Sequence, residues 1–400
     1  MSNSVIYMDS AQNGAPTITA AAGSLIAFLT TVLVTGYGFV QLDSLEVVDG
    51  VATATRGAGH GFKNIPHAGT AVLGPVVKIA GAGVAELNGN WRIAVLSTTQ
   101  FTFEAPGVSD GVVAGAIVAS IPPLGWTKPF SNATTGVFRN QAGTGMYLRI
   151  ADDGVLDGGY TASVRGYESM SSEDEGTGPF PPLSLNPRYI PKVYSANVPQ
   201  WIIVGDAKRF YFFNSILSSR GFCATFAGDV ISYVPGDAYH FLLGAYYDSS
   251  GTNSSAYATP FWRQSNSTGI THASWAPRGW DQYPLAMAYS VTMPCLDFAS
   301  TGGTDSGMPL LVNPPDGRAW FTFPSYAHRA SEEPKHIRGH YPGAWRFNMR
   351  ITPEQLPVRT TLMYDGLPGY PDARPLLITL QQGGSSSPTY GVVDVNGPWL

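Results

Sequence analysis

His336 and His340 stand four residues apart, the spacing that sets two imidazoles on one face of a helix, with His328, Glu332 and Glu333 close by as further metal ligands. Their neighbours argue against a metal. Gly339 and Pro342 break a helix there, and no acidic base lies between the two histidines, so loop histidines are expected. His60 and His67 sit in glycine-rich stretches and read as turn residues bonding to backbone. Asp152, Asp153 and Asp157 have the side chains for a calcium loop but not the EF-hand spacing, and Asp-Gly turns account for all three. Glu173-Asp174-Glu175 could supply one carboxylate of a glycoside-hydrolysing pair, with a distant second acid. In a Ser/Gly/Pro-rich setting, solvated acids are the plainer expectation. No catalytic residue, metal ligand or cofactor site is therefore assigned.

The residues best suited to bind something are aromatic. Tyr257, Trp262, Trp275, Trp280 and Tyr283 crowd one stretch and could stack on a sugar or anchor a partner protein. The polar groups a sugar needs are not concentrated there, so a partner contact is expected and a host glycan is the alternative. Cys223 and Cys295 lie in apolar contexts and read as buried free thiols. Asn132, Asn253 and Asn266 begin Asn-x-Ser/Thr triplets, which matter only on a secretory route.

The elements that must position these residues are strands. In 400 residues only 13% are charged, while 46 glycines, 31 prolines and 12% aromatics imply many turns and few long helices. Low charge with many aromatics also suits a surface covered by neighbours. The net charge of −5 includes no basic tract, which sets direct nucleic-acid binding aside. No charged start followed by an apolar run is visible at the N-terminus, so synthesis in a cytoplasm is expected.

The stretch from Trp201 to Phe213 predicts a hairpin, with two β-branched and aromatic runs around the turn Gly205-Asp206-Ala207-Lys208 and burial on both faces near Phe210 to Phe213. Residues 1–41 are expected to be an arm plus one helix: 1–23 lie on a neighbour, Ser24 caps the helix, Leu25, Phe28, Leu29, Val32 and Leu33 share a face, and Gly36 stops it. That apolar run is shorter than the about 20 residues of a membrane span. Residues 42–122 show six short strands, including a hairpin at Asp49-Gly50, a run from Trp91 to Leu96 and another from Val112 to Val118, which predicts a small barrel-like module. Residues 123–400 predict a larger β-rich, sandwich-like domain with long Pro/Gly loops. The fold class is mainly all-β, with one short helix near the N-terminus.

Several blocks carry a resemblance. Gly59-His60-Gly61-Phe62, Val76 to Gly81, Leu87 to Trp91 and Gln100 to Phe103 resemble a small β-module of tailed-phage virion proteins. Gly143 to Arg149, Val164 to Met170, Gly176 to Pro181 and Trp201 to Asp206 are similar to blocks of a bacteriophage and prophage virion structural family encoded among head and tail genes. In this sequence about a dozen residues, Lys63 to Pro75, separate the first block from the next strand, more than the pattern calls for, and an elaboration at a contact is expected. The resemblance implies a non-enzymatic virion component of the tail, baseplate or neck, made in a bacterial cytoplasm, whose partners are copies of itself and other virion proteins. Alternatives are a glycan-binding receptor protein, a capsid decoration and, behind these, a peptidoglycan hydrolase.

Overall fold

The computed structural model describes residues 5–67, 72–193, 198–216, 221–245, 274–279, 286–292, 318–322, 337–345, 359–364, 371–380 and 389–399. The expected hairpin is there. Strands Gln200–Gly205 and Arg209–Ser215 pair from Gln200 opposite Ser215 to Gly205 opposite Phe210. Asp206 closes the turn, its Oδ1 accepting from the backbone N–H of Lys208 at 2.8 Å and of Arg209 at 3.0 Å. Alternation sends Trp201, Ile203, Phe210 and Phe212 into one core and Ile202, Val204, Tyr211 and Phe213 into another. Each such side chain contributes about 1.5–3 kcal/mol by leaving water.

This hairpin lies within a 13-stranded, almost wholly antiparallel sheet that runs from Ile6–Asp9 at one edge to Thr361–Met363 at the other. The sheet doubles back. Phe222, next to the third strand in from the hairpin side, bridges Leu380 near the far edge, and the two halves share a core in which the Phe226 ring meets Tyr211 and Tyr341, each at 4.9 Å. That is the expected sandwich-like arrangement. The expected arm differs. Ile6–Asp9 pairs with Gln200–Gly205 of its own chain, and Val5 to Met8 are buried, because four consecutive apolar or aromatic side chains fill the slot beside the hairpin.

The helix Ser24–Thr30 packs Phe28 edge-on against Trp201 at 4.9 Å and beside Phe212 at 5.3 Å. A π-helical turn over Thr31–Thr35 follows and ends at Gly36, whose φ of 77° suits glycine. Ser24 does not cap it. Gly23 takes the cap position with φ 74°, Ser24 Oγ accepts from the Thr19 N–H, and the Leu25 N–H donates to Asp152 Oδ2 at 2.8 Å.

Residues 42–122 contain no closed barrel among the described residues. Five strands, Ala94–Val95, Gln100–Glu104, Val51–Thr55, Ser44–Val48 and Gly111–Val112, form one sheet in that spatial order. A second has the order Tyr37–Gln41, Val118–Ile121, Val76–Ala80 and Gly89–Arg92, so part of the first 41 residues joins it. The runs expected at 91–96 and 112–118 each divide between the two sheets. Ile93 is buried at the first crossing, and Gly115 bends the second at φ 129°, where a Cβ would stand 2.1 Å from the Gly81 carbonyl oxygen. The Asp49-Gly50 hairpin forms as expected, with φ of 51° and 74° and Val48 opposite Val51.

The Lys63–Pro75 connection packs, where described, on its own chain. Gln12 exchanges two hydrogen bonds with the Lys63 backbone, Ile65 enters the core of the folded-back sheet, and Thr361 Oγ1 donates to the Pro66 carbonyl. A further sheet, Thr127–Ser131, Thr135–Arg139, Tyr147–Ala151, Thr161–Tyr167 and Arg188–Pro191, adds its buried residues to the helix side of the hairpin. Between Cys223–Asp229 and Phe241–Gly244 the chain forms a short strand, Ile231–Ser232, and turns.

Candidate functional site

Trp275 is the one member of the aromatic set that the structure describes; Tyr257, Trp262, Trp280 and Tyr283 lie outside the described residues. It stands on the short strand Ser274–Ala276 and is buried at 5% exposure in the helix-side core, with the Arg188 guanidinium 5.7 Å from its ring centre. A partner cannot reach it as a surface anchor. Its strand pairs between two others, Phe241–Gly244 and Met287–Thr292.

His340 lies on the extended strand Ile337–Trp345, so it has no helical face to share with His336. It is buried, and its Nδ1 is 2.9 Å from the Tyr233 hydroxyl. His328, Glu332, Glu333 and His336 fall outside the described residues. His60 does what its glycine-rich setting suggests. Its Nδ1 accepts from the Phe62 N–H at 3.0 Å, which leaves Nε2 to donate to the Ser97 carbonyl at 2.9 Å. Among the described residues no three His, Cys, Asp or Glu side chains converge as metal ligands.

The acidic run sits in the turn between Ser169–Met170 and Gly176–Thr177. Arg149 donates to the Glu173 carbonyl at 2.6 Å and pairs with the well-exposed Asp174 carboxylate at 2.7 Å, while Ser172 Oγ accepts from the Glu175 N–H. Asp153 makes an Asx turn to Val155, and Asn132 makes one to Thr134 and Thr135. Gly107-Val108-Ser109-Asp110-Gly111 has the residue pattern of a nucleophile elbow. Its context is wrong: it joins two strands of one sheet with no helix after it, and Asp110 Oδ1 is engaged with the Asp49 N–H at 2.9 Å. Cys223 is buried, as expected; Cys295 lies outside the described residues.

Three buried carboxylates hold elements together. Asp152 pairs with Lys192 at 2.5 Å, both side chains wholly buried, and Lys192 Nζ also donates to the carbonyls of Ala20 and Ala21, so the pair ties the helix entry to the 127–191 sheet. Asp229 takes three donors at 2.7 Å, from Asn140 Nδ2, Thr144 N–H and Thr144 Oγ1, and thereby clasps the 140–145 turn onto the large sheet. Asp237 receives Arg338 in a two-pronged pair at 2.7 Å on each oxygen, plus Ser232 Oγ at 2.8 Å. Burial alone would push the Asp237 carboxyl up; the Arg338 bonds and charge outweigh it and hold the group below the ordinary range. Each carboxylate is filled by donors from its own chain. Sequence reading missed all three, since the partners stand 40 to 101 residues apart.

No known protein family matches the sequence, and no curated protein is similar to it.

Proposed function

We propose that the chain is a non-enzymatic structural component of a tailed-bacteriophage virion, in the tail, baseplate or neck, that assembles with copies of itself and other virion proteins. The observation that carries this reading is the set of phage-like sequence blocks, and the positions those blocks occupy are architectural. Gly143 to Arg149 holds the turn clasped by Asp229, where a Cβ on Gly143 would come 2.1 Å from the carboxylate. Val164 to Met170 contains Gly166, which lets the Phe180 ring lie where a Cβ would stand 2.0 Å away. Trp201 to Asp206 is the first half of the central hairpin. A charged fraction of 13% adds support, because surfaces that meet proteins carry fewer charges. Mass spectrometry of purified particles tests the reading. The chain should be present at a constant copy ratio to the other virion proteins, and its absence from particles would overturn the proposal.

A further inference from the structure

Among the described residues, nothing covers the outer face of the five-stranded sheet in the small module. Its ladders align Val112, Glu46, Thr53 and Thr102 in one row and Val48, Val51 and Glu104 in the next. Val112 is 76% exposed and Val48 53%. Solvated faces of antiparallel sheets ordinarily carry polar side chains of both signs, and edge strands ordinarily carry lysine or proline to stop another strand from pairing. Here neither holds. The five strands contain Glu46 and Glu104 but no lysine or arginine, and the edge is Gly111–Val112. Asp49 and Asp110 in the adjoining turns add the same sign, and none of these four acids forms an ion pair among the described residues.

We propose that this face docks a partner protein through an extended, β-branched segment flanked by lysines or arginines, laid along the Gly111–Val112 edge. Val48, Val51 and Val112 give the apolar contact, and the four acids choose the partner by charge. A second copy is the wrong occupant, since it would set like charges face to face. The inference rests on the assembly reading above and deepens it by naming the face and the partner's chemistry.

The test uses the purified full chain and two synthetic 12-residue strand peptides, one repeating Lys-Val-Thr-Val and the other Glu-Val-Thr-Val, each followed by fluorescence anisotropy. The Lys peptide should bind, and the Glu peptide should not. Glu46→Lys with Glu104→Lys, and separately Val112→Lys, should each weaken the Lys peptide by about tenfold or more while leaving the thermal midpoint in place, as these positions are exposed. No binding of the Lys peptide, or binding unchanged in both variants, would overturn the proposal. A concentration-dependent dimer of the unmodified chain that Val112→Asp abolishes would also overturn it, by making the occupant a second copy. The assay needs no particles, so absence of the chain from virions would defeat the assembly reading without altering this result.

Discussion

The central hairpin and the five-stranded sheet of the small module are both antiparallel, both closed by Asp-containing turns, and composed for opposite surroundings. From Trp201 to Phe213 the strand residues are buried whichever way they point, with one set meeting the helix and the other meeting the folded-back half of the sheet. Along Ser44–Val48 and Gln100–Glu104 only alternate residues are buried, and the other set faces outward. A continuous apolar run therefore marks the part of the chain that others pack around, whereas strict alternation marks the part left with a face to offer. The same chemistry of strands yields an organising centre in one place and a contact surface in the other.

Breaking the centre should have the largest effects. Phe212→Ala removes a ring that packs beside Phe28, and about 3–5 kcal/mol of stability should be lost in urea unfolding followed by tryptophan fluorescence. Lys192→Met should cost a similar about 3–5 kcal/mol, because it strands the Asp152 charge in the interior. Adding Asp152→Asn to that variant should restore part of the loss, a coupling that two independent sites would not show.

How far these regions were legible follows from how local their causes are. The Asp49-Gly50 and Asp206 turns, the helix face and the stop at Gly36 rest on residues within a few positions of one another, and each was readable. The barrel was not, because the crossings at Ile93 and Gly115 depend on which sheet the next segment joins, and period-two alternation is the same in either sheet. Trp275 looked like a surface anchor since aromatic content alone does not separate a binding loop from a buried strand. The Asp152, Asp229 and Asp237 clasps were invisible for a similar reason: their acids resemble turn residues until a distant Lys192, Thr144 or Arg338 is brought to them.

Smaller effects sharpen the contrast. Gly143→Ala should cost about 1–3 kcal/mol, since the new methyl must displace the Asp229 carboxylate from a clasp that has no slack. Asp9 offers a dependence on pH. Burial raises its carboxyl above the ordinary value, outweighing the bonds from Ala11 and Tyr7, so the folded state holds the proton more tightly than the unfolded chain. Its stabilising contribution is then complete at pH values below the unfolded value and is lost as pH rises through the folded one. Asp9→Asn should accordingly gain about 1 kcal/mol over the unmodified chain at pH 7 and nothing at pH 3. Smallest of all, Val48→Thr and Val112→Thr on the outer face should change stability by less than about 0.5 kcal/mol, although Val112→Lys is expected to impair partner binding.

A density map of the assembled particle at side-chain resolution tests the central claim most directly. The account predicts this chain in the particle, its hairpin touching only residues of the same chain, and the Val48, Val51 and Val112 face covered by a basic-flanked segment of another protein. A particle that lacks the chain, or one that contains it with that face bare, would contradict the account.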